Sequence, residues 1–261
     1  PIDDWLIARL KQRVAEFSEA MDSYDLRRAV EISHYELIKD VNWYSRRGGN
    51  NAAVGRLVLE SWTYLISVST PHLAEEWGRC LSLEEMVSAS EMSGIEPVSK
   101  DEEYILDYEF IMRAVLENSR KIKSIAEKHL DGQAQKLTLI ISPEWKNQLS
   151  RAAINYLNDG GNVKQFIQEL KQMDFVNDEN MGQILSYWNK KMLSQVFKWD
   201  DKSKSLILDN IDEVKLLKER ASFIAKELDL NEIEVIRAED YQGEDGRENS
   251  SLPLSPSIKF A

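Results

Sequence analysis

The sequence holds a single cysteine, Cys80. No internal disulfide can form, which fits a reducing cytoplasm. A lone cysteine behaves as a small apolar side chain, so Cys80 is expected in the core. No uninterrupted apolar run approaches the roughly 20 residues a bilayer span needs, which excludes a transmembrane helix and a membrane partner. The opening Pro1-Ile2-Asp3-Asp4-Trp5 has neither the basic nor the apolar region of a secretory signal. Starting on Pro1 rather than Met, it reads as a piece of a longer chain. Phosphate loops of the Gly-x-Gly-x-x-Gly or Gly-x-x-x-x-Gly-Lys type are missing. Gly48-Gly49 and Gly160-Gly161 stand instead where helices need a left-handed stop. His34, His72 and His129 are far apart in sequence, so no metal ligand is assigned. Glu75 and Glu76 are adjacent helical residues and do not share a face. No catalytic residue is assigned and no cofactor is expected within this stretch.

Hydrophobic residues make up 43% of the chain and seven are Trp, so it is folded. Its 261 residues allow one large domain or two modest ones. The net charge is −12, and both halves are acidic: 16 Lys+Arg against 24 Asp+Glu in 1–135, and 17 against 21 in 136–261. Whole-molecule steering toward nucleic acid is therefore not expected. Local basic patches survive, because acids more than about 10 Å away are screened at moderate salt.

Apolar periodicity predicts helices over 3–22, from Asp25 to Gly48 with Leu26, Val30, Ser33, Leu37, Val41 and Tyr44 inward, and over about 51–69. Thr70 is placed to cap a further short helix with Pro71 at its first position. Residues 82–103 read as an acidic loop with a short helix, and Tyr104–Lys128 as a fourth long helix with Ile105, Tyr108, Ile111, Val115, Ile122 and Ile125 inward. The pattern changes at Asp131-Gly132-Gln133. Lys136–Ser142 is rich in β-formers and reads as a strand, as does Glu232–Ala238. Helices are expected between them at about 144–157, 163–172, 178–197 and 210–228. The expected fold is mainly α: an antiparallel helix bundle over 1–133, then a small α/β domain over 134–261. No internal repeat is apparent. The end, Ser257-Ile258-Lys259-Phe260, either adds a short third strand or presents an extended apolar tip.

The basic residues are the candidate binding groups. Arg27 and Arg28 sit at a helix start, where cations oppose the macrodipole unless a partner compensates; that partner is either Asp22 or Asp25, or a phosphate. Arg46 and Arg47 end the same helix beside Trp43 and Tyr44. They either match the dipole in solvent or present guanidinium forks to phosphate. Lys190, Lys191, Lys198, Lys202 and Lys204 surround Trp188 and Trp199, a composition suited to backbone contact with stacking, or to a solvated helix end. Trp5, Trp62 and Trp77 lie on apolar stripes and are expected in the bundle core.

Three segments carry a resemblance: Asp3-Asp4-Trp5-Leu6-Ile7-Ala8-Arg9-Leu10, Leu26-Arg27-Arg28-Ala29-Val30 and Pro71-His72-Leu73-Ala74-Glu75-Glu76-Trp77. They are similar to the anticodon-binding bundle of class I aminoacyl-tRNA synthetases. Asp40 and Asn42-Trp43-Tyr44-Ser45-Arg46-Arg47 resemble the helix end of the archaeal-type leucyl branch, and Glu144-Trp145-Lys146 after a strand resembles the start of that branch's C-terminal domain. The resemblance implies a cytoplasmic, tRNA-binding C-terminal fragment of a leucine–tRNA ligase. Arg27, Arg28, Trp43, Arg46, Arg47, Lys190, Lys191, Lys198 and Lys259 would then contact tRNA. ATP and Mg would serve the parent enzyme, and its catalytic and editing domains would be partners alongside tRNA(Leu). It also implies contact with the long variable arm rather than the anticodon. A divergent synthetase paralogue, or a helical protein-interaction module without ligase role, is the alternative.

Overall fold

In the computed structural model, which describes residues 2–83, 86–90, 94–128 and 133–261, the first element is helix α1 (Ile2–Asp22). Asp3 and Asp4 lie in its first turn, where the macrodipole favours acids, and Trp5, Leu6, Leu10, Val14 and Phe17 form its buried stripe. Asp25 caps α2 (Leu26–Glu31), its side chain accepting from the Arg28 N–H. A π-helical turn, Ile32–Glu36, joins α2 to α3 (Leu37–Arg46). Ala29, Ile32, Ser33, Leu37, Asp40 and Tyr44 form the buried face across these segments. Leu26 is exposed; the periodicity carried the inner stripe one turn too far toward the N-terminus. Gly48, at φ +86°, closes α3, and the Gly49 N–H donates back to Tyr44 O. A Cβ on Gly49 would run into the Tyr44 ring. The Tyr44 hydroxyl donates to Asp3 Oδ1 (2.6 Å) and accepts from the Asn51 N–H (3.0 Å), fastening this turn to α1.

Asn51 caps α4 (Ala52–Ser67), and Pro71 opens α5 (Pro71–Leu81). Thr70 does not cap α5. Its hydroxyl donates backward to Ile66 O at 3.1 Å. Trp62 and Trp77 meet edge to face at 5.6 Å over Ile66, Ala74 and Val87, and Trp5 is buried in the bundle. Cys80 is exposed, against expectation: Ala74 and Gly78 take the inward face of α5 and leave position 80 outside it. A 3-10 turn, Val87–Ala89, follows.

Helix α6 spans Lys100–Ala126 and starts four residues earlier than Tyr104. Ser99 and Glu102 form a reciprocal capping box: the Glu102 N–H donates to Ser99 Oγ (3.3 Å) and the Ser99 N–H to Glu102 Oε2 (2.8 Å). The acids read as loop charge are thus the first turn of the helix. Its buried residues include Ile111, Met112, Val115, Leu116 and Ser119. Ile122 and Ile125 fall beside that stripe and are exposed, while Lys123 occupies it and donates to Leu228 O (2.5 Å). The expected composition break at Asp131-Gly132 lies outside the described residues. Packing divides the chain into two units, Pro1–Phe110 and Ile111–Ala261. In the first, α1 packs on α2, α3 and α4, and α4 on α5.

The second unit is built on a three-stranded sheet of order β2-β1-β3, where β1 is Lys136–Ile141, β2 Glu232–Arg237 and β3 Ser257–Phe260. β1 pairs parallel with β2 from Lys136↔Glu232, and antiparallel with β3 from Leu137↔Phe260. As the central strand, β1 is buried almost throughout, which explains why Leu137, Leu139, Ile140 and Ile141 are apolar on both faces. Between β1 and β2 come α7 (Glu144–Asn158), α8 (Val163–Leu170), α9 (Met181–Tyr187), α10 (Leu193–Val196), α11 (Asp201–Leu208) and α12 (Glu213–Leu228). The helix expected over 178–197 is α9 and α10 joined by a second π turn, Trp188–Met192. α11 was not expected; Asp200 caps it by accepting from the Ser203 N–H at 2.8 Å. Leu149, Phe166, Leu170, Ile184, Trp188 and Met192 form the helical core, with Phe166 and Trp188 rings 4.6 Å apart. α12 packs on β2. The fold class thus agrees with the sequence reading, mainly α with a small α/β second part, and of the two readings of Ser257–Phe260 the third strand is the one formed.

Candidate nucleic-acid interface

The cations expected to face a partner divide by what they already touch. In the first unit, the Arg27 side chain is 89% exposed and pairs along its own helix with Glu31 at 3.1 Å. Arg28 reaches Glu36 Oε1 at 2.5 Å and Glu16 Oε2 at 3.2 Å. The acids that compensate these arginines are therefore Glu31, Glu36 and Glu16, not Asp22 or Asp25; Asp25 uses its carboxylate as the cap. Burial pushes the Glu36 carboxyl up, but the Arg28 hydrogen bond and the Arg13 charge outweigh it and hold it below its ordinary value. Beneath this pair, buried Arg13 (2.8 Å) and Arg9 (3.1 Å) both donate to Asp40 Oδ2.

The end of α3 has the same two-layer character. Trp43 is buried, and its indole N–H donates to Glu109 Oε1 at 2.8 Å. Arg47 Nε donates to that same oxygen at 2.8 Å. One buried carboxylate, Glu109, thus gathers a tryptophan 66 and an arginine 62 residues away in sequence. Arg46 is exposed, with its guanidinium 5.4 Å from the Trp43 ring centroid. The outward cation of the Arg46–Arg47 pair is Arg46.

In the second unit, Lys190, Lys191 and Lys198 are exposed. Lys191 also donates to Asn249 O at 3.2 Å. Trp188, expected as a stacking ring, is 1% exposed and belongs to the core; the extra residue of the π turn keeps it inward while Lys190 and Lys191 face out. Trp199 packs at the margin of the same core. Lys204 pairs with Asp201 at 3.8 Å. Ile258 and Phe260 are buried in β3, so the extended apolar tip is not formed. Lys259 points to the other face, donating to the Tyr241 hydroxyl (2.9 Å) and pairing with Asp245 (3.0 Å).

Lys146 was not singled out as a site residue. It is 2% exposed, and its ammonium donates to the carbonyls of Glu248 (3.4 Å), Asn249 (3.1 Å) and Ser251 (2.9 Å). It lies 4.9 Å from the Tyr187 ring centroid and 5.7 Å from that of Trp145. Burial, with Lys191 nearby, lowers its pKa to about 8. The signal was present: positions 146, 149, 150 and 153 are the inner stripe of α7, and one of them is charged. His34 shares a hydrogen bond with Ser69 (2.7 Å), and His129 lies outside the described residues. Among the described residues no group of three or more His, Cys, Asp or Glu is placed to hold a metal ion, and no helix is long and apolar enough to cross a membrane.

A family model described as the anticodon-binding domain of tRNA ligase matches residues 3–137. The chain is 31% identical over 259 residues to the leucine–tRNA ligase of Methanococcus vannielii, a match covering 98% of this chain and 24% of that protein. It is 29% identical to the leucine–tRNA ligase of Methanocaldococcus jannaschii, over 98% of this chain and 25% of the relative. For Archaeoglobus fulgidus the values are 27%, 100% and 25%. The chain spans about a quarter of the length of these curated relatives.

Proposed function

The chain belongs to the family of anticodon-binding domains of tRNA ligases, and from that membership we propose that it is the tRNA-binding C-terminal part of a leucine–tRNA ligase. The observation that carries the reading is that the similarity to leucine–tRNA ligases runs through both packing units rather than stopping at the helical bundle. The family match ending at residue 137 supports a functional division near 133, with the bundle before it and the sheet domain after it. In this reading leucine activation with ATP and Mg belongs to catalytic and editing domains outside this chain, in the cytoplasm. No step of that chemistry is assigned to the residues described here.

Binding is electrostatic and local. Arg27, Arg46, Lys190 and Lys198 offer exposed cations to phosphate oxygens. Arg28, Trp43, Arg47 and Lys259 support the surface that presents them, through Glu36, Glu109 and Asp245. Lysines of the second unit attract phosphate without reading sequence. Preference for tRNA(Leu), with its long variable arm, follows from the leucyl family resemblance.

The test is a filter-binding titration of the whole chain with tRNA(Leu) and with a short-arm tRNA across a salt series. Saturable binding, tighter for tRNA(Leu), with a log–log salt slope of roughly −3 to −4 if all four cations engage, is expected. Absence of saturable binding to either tRNA at low salt would discard the reading in favour of a protein-interaction module.

A further inference from the structure

One cavity of the second unit, of about 300 Å³, has a chemistry of its own. Trp145 forms one wall. Gln183, Ser186, Tyr187, Lys190 and Lys191 line another, at spacings of three and four that put them on one face of α9 and its π turn. The volume lies at the lower end of the range for small-molecule sites.

Three features select the occupant. The rim carries two exposed ammonium groups, Lys190 and Lys191, which call for an anion. The Trp145 indole, meeting Tyr187 edge to face at 5.2 Å, supplies an aromatic wall that an inorganic anion would leave unused. Tyr187 is nine-tenths buried, yet its hydroxyl has no hydrogen-bond partner among the described residues. Such an orphan is uncommon unless something outside the chain completes it. Lys146 is not that partner: its ammonium is spent on three carbonyls and sits over the Tyr187 ring. Glu248, the acid beside the cavity, accepts from the Asn249 side-chain amide at 2.9 Å.

A nucleotide joins an anionic group to a flat ring with hydrogen-bonding edges. We propose that this cavity binds a nucleotide, with its phosphate on Lys190 and Lys191, its base against Trp145, and the Tyr187 hydroxyl on a polar edge of the base. The nucleotide is either one residue of a bound RNA strand, in which case the proposal rests on the tRNA reading above and deepens it, or a free mononucleotide. Stacking plus phosphate contact is sequence-tolerant and suits an unpaired residue.

The whole chain is titrated with a mixed-sequence RNA hexamer and, separately, with AMP, following tryptophan fluorescence. Trp145→Phe identifies the reporting ring, and tRNA retention on filters is measured in parallel. A saturable fluorescence change with the hexamer, lost in Trp145→Phe, is expected. A change with AMP but not the hexamer also supports the pocket and assigns it to free nucleotide. No Trp145-dependent change with either ligand overturns it, and tRNA retained on filters in that case leaves the tRNA-binding reading standing. Tyr187→Phe separates binding from folding, because the two effects have opposite signs. Removing an unpartnered hydroxyl should leave the apo chain as stable or more so, while weakening hexamer or AMP binding about threefold to tenfold. Unchanged affinity in Tyr187→Phe would overturn the hydroxyl's place in the site, as would unchanged affinity in Lys190→Ala/Lys191→Ala for the phosphate's.

Discussion

Replacing Glu213 with Gln should stabilise the chain above neutral pH and leave it nearly unchanged below pH 5. Glu213 opens α12 and is 5% exposed. Its Oε1 accepts from the Leu254 N–H at 3.0 Å, while Oε2 is buried with no partner among the described residues. Leu254 is held at φ +61°, a left-handed conformation that strains an ordinary residue, so the carboxyl anchors a turn that leads into β3. Burial is the largest influence on this group and raises its pKa from 4.5 to about 7; the Leu254 amide and Arg237 pull it down, and Asp212 pushes it up. Below 4.5 the carboxyl is protonated in both folded and unfolded chains and adds no pH dependence. Between 4.5 and about 7 the unfolded chain has lost its proton and the folded one has kept it, so stability falls as pH rises. Each unit of separation is worth about 1.4 kcal/mol, so roughly 3 kcal/mol is lost by pH 8. Gln keeps a carbonyl for Leu254 and never ionises. Urea denaturation at pH 5 and pH 8 measures the effect, with the difference between variant and wild type removing every other titrating group. A variant no more stable than wild type at pH 8, or shifted equally at both pH values, would refute the reasoning.

Arg46→Ala should flatten the tRNA salt slope by about one unit with little change in stability, while Arg47→Ala should destabilise the fold by leaving Glu109 short of its ion pair. Filter binding across salt and urea denaturation separate the two. Glu109→Ala removes the acceptor shared by Trp43 and Arg47 and should cost about 3 kcal/mol or more by denaturation. Lys146→Met should release residues 248–251, visible as faster amide exchange there, at a cost of about 1–3 kcal/mol for carbonyls left unpaired. In the wild type the depressed Lys146 pKa means the unfolded chain binds the extra proton between about 8 and 10.5, so this group should make stability rise with pH across that window. Trp62→Ala removes the edge-to-face contact with Trp77 and the indole bond to Ser33 O (2.6 Å), and should destabilise by about 3–5 kcal/mol in thermal or urea melts.

The helices and strands were legible wherever a local signal decided them. Apolar spacing located α1 and α4, the Gly48-Gly49 pair ended α3, and the β-former run at Lys136 marked β1. The early start of α6 is legible too, since Ser99-Lys100-Asp101-Glu102 is a capping box, although its acidic run taken alone reads as solvated loop charge. The two π turns were not legible. Each inserts one residue into a helix whose apolar pattern reads almost the same with or without it, and only tertiary packing chooses between them.

The candidate binding groups show the deeper limit. Arg46 and Arg47 are neighbours of the same type at one helix end, and the stripe through Leu37, Val41 and Tyr44 points toward position 47 without naming a partner for it. What separates them is Glu109, which reaches Arg47 and Trp43 from another helix. Lys190 and Lys191 differ in the same way, because only Lys191 donates to Asn249. A charged residue's role depends on whether the fold brings it an acceptor. A buried acid such as Glu109 or Asp40 is affordable only where cations or donors converge on it, so each marks arginines committed to structure. Two exposed cations, Arg46 near Trp43 and Lys190 at the mouth of the Trp145–Tyr187 pocket, each stand beside an aromatic ring that the fold already holds in place. A phosphate met there finds its counter-charge without reordering of the ring beneath, which limits the conformational entropy lost on binding.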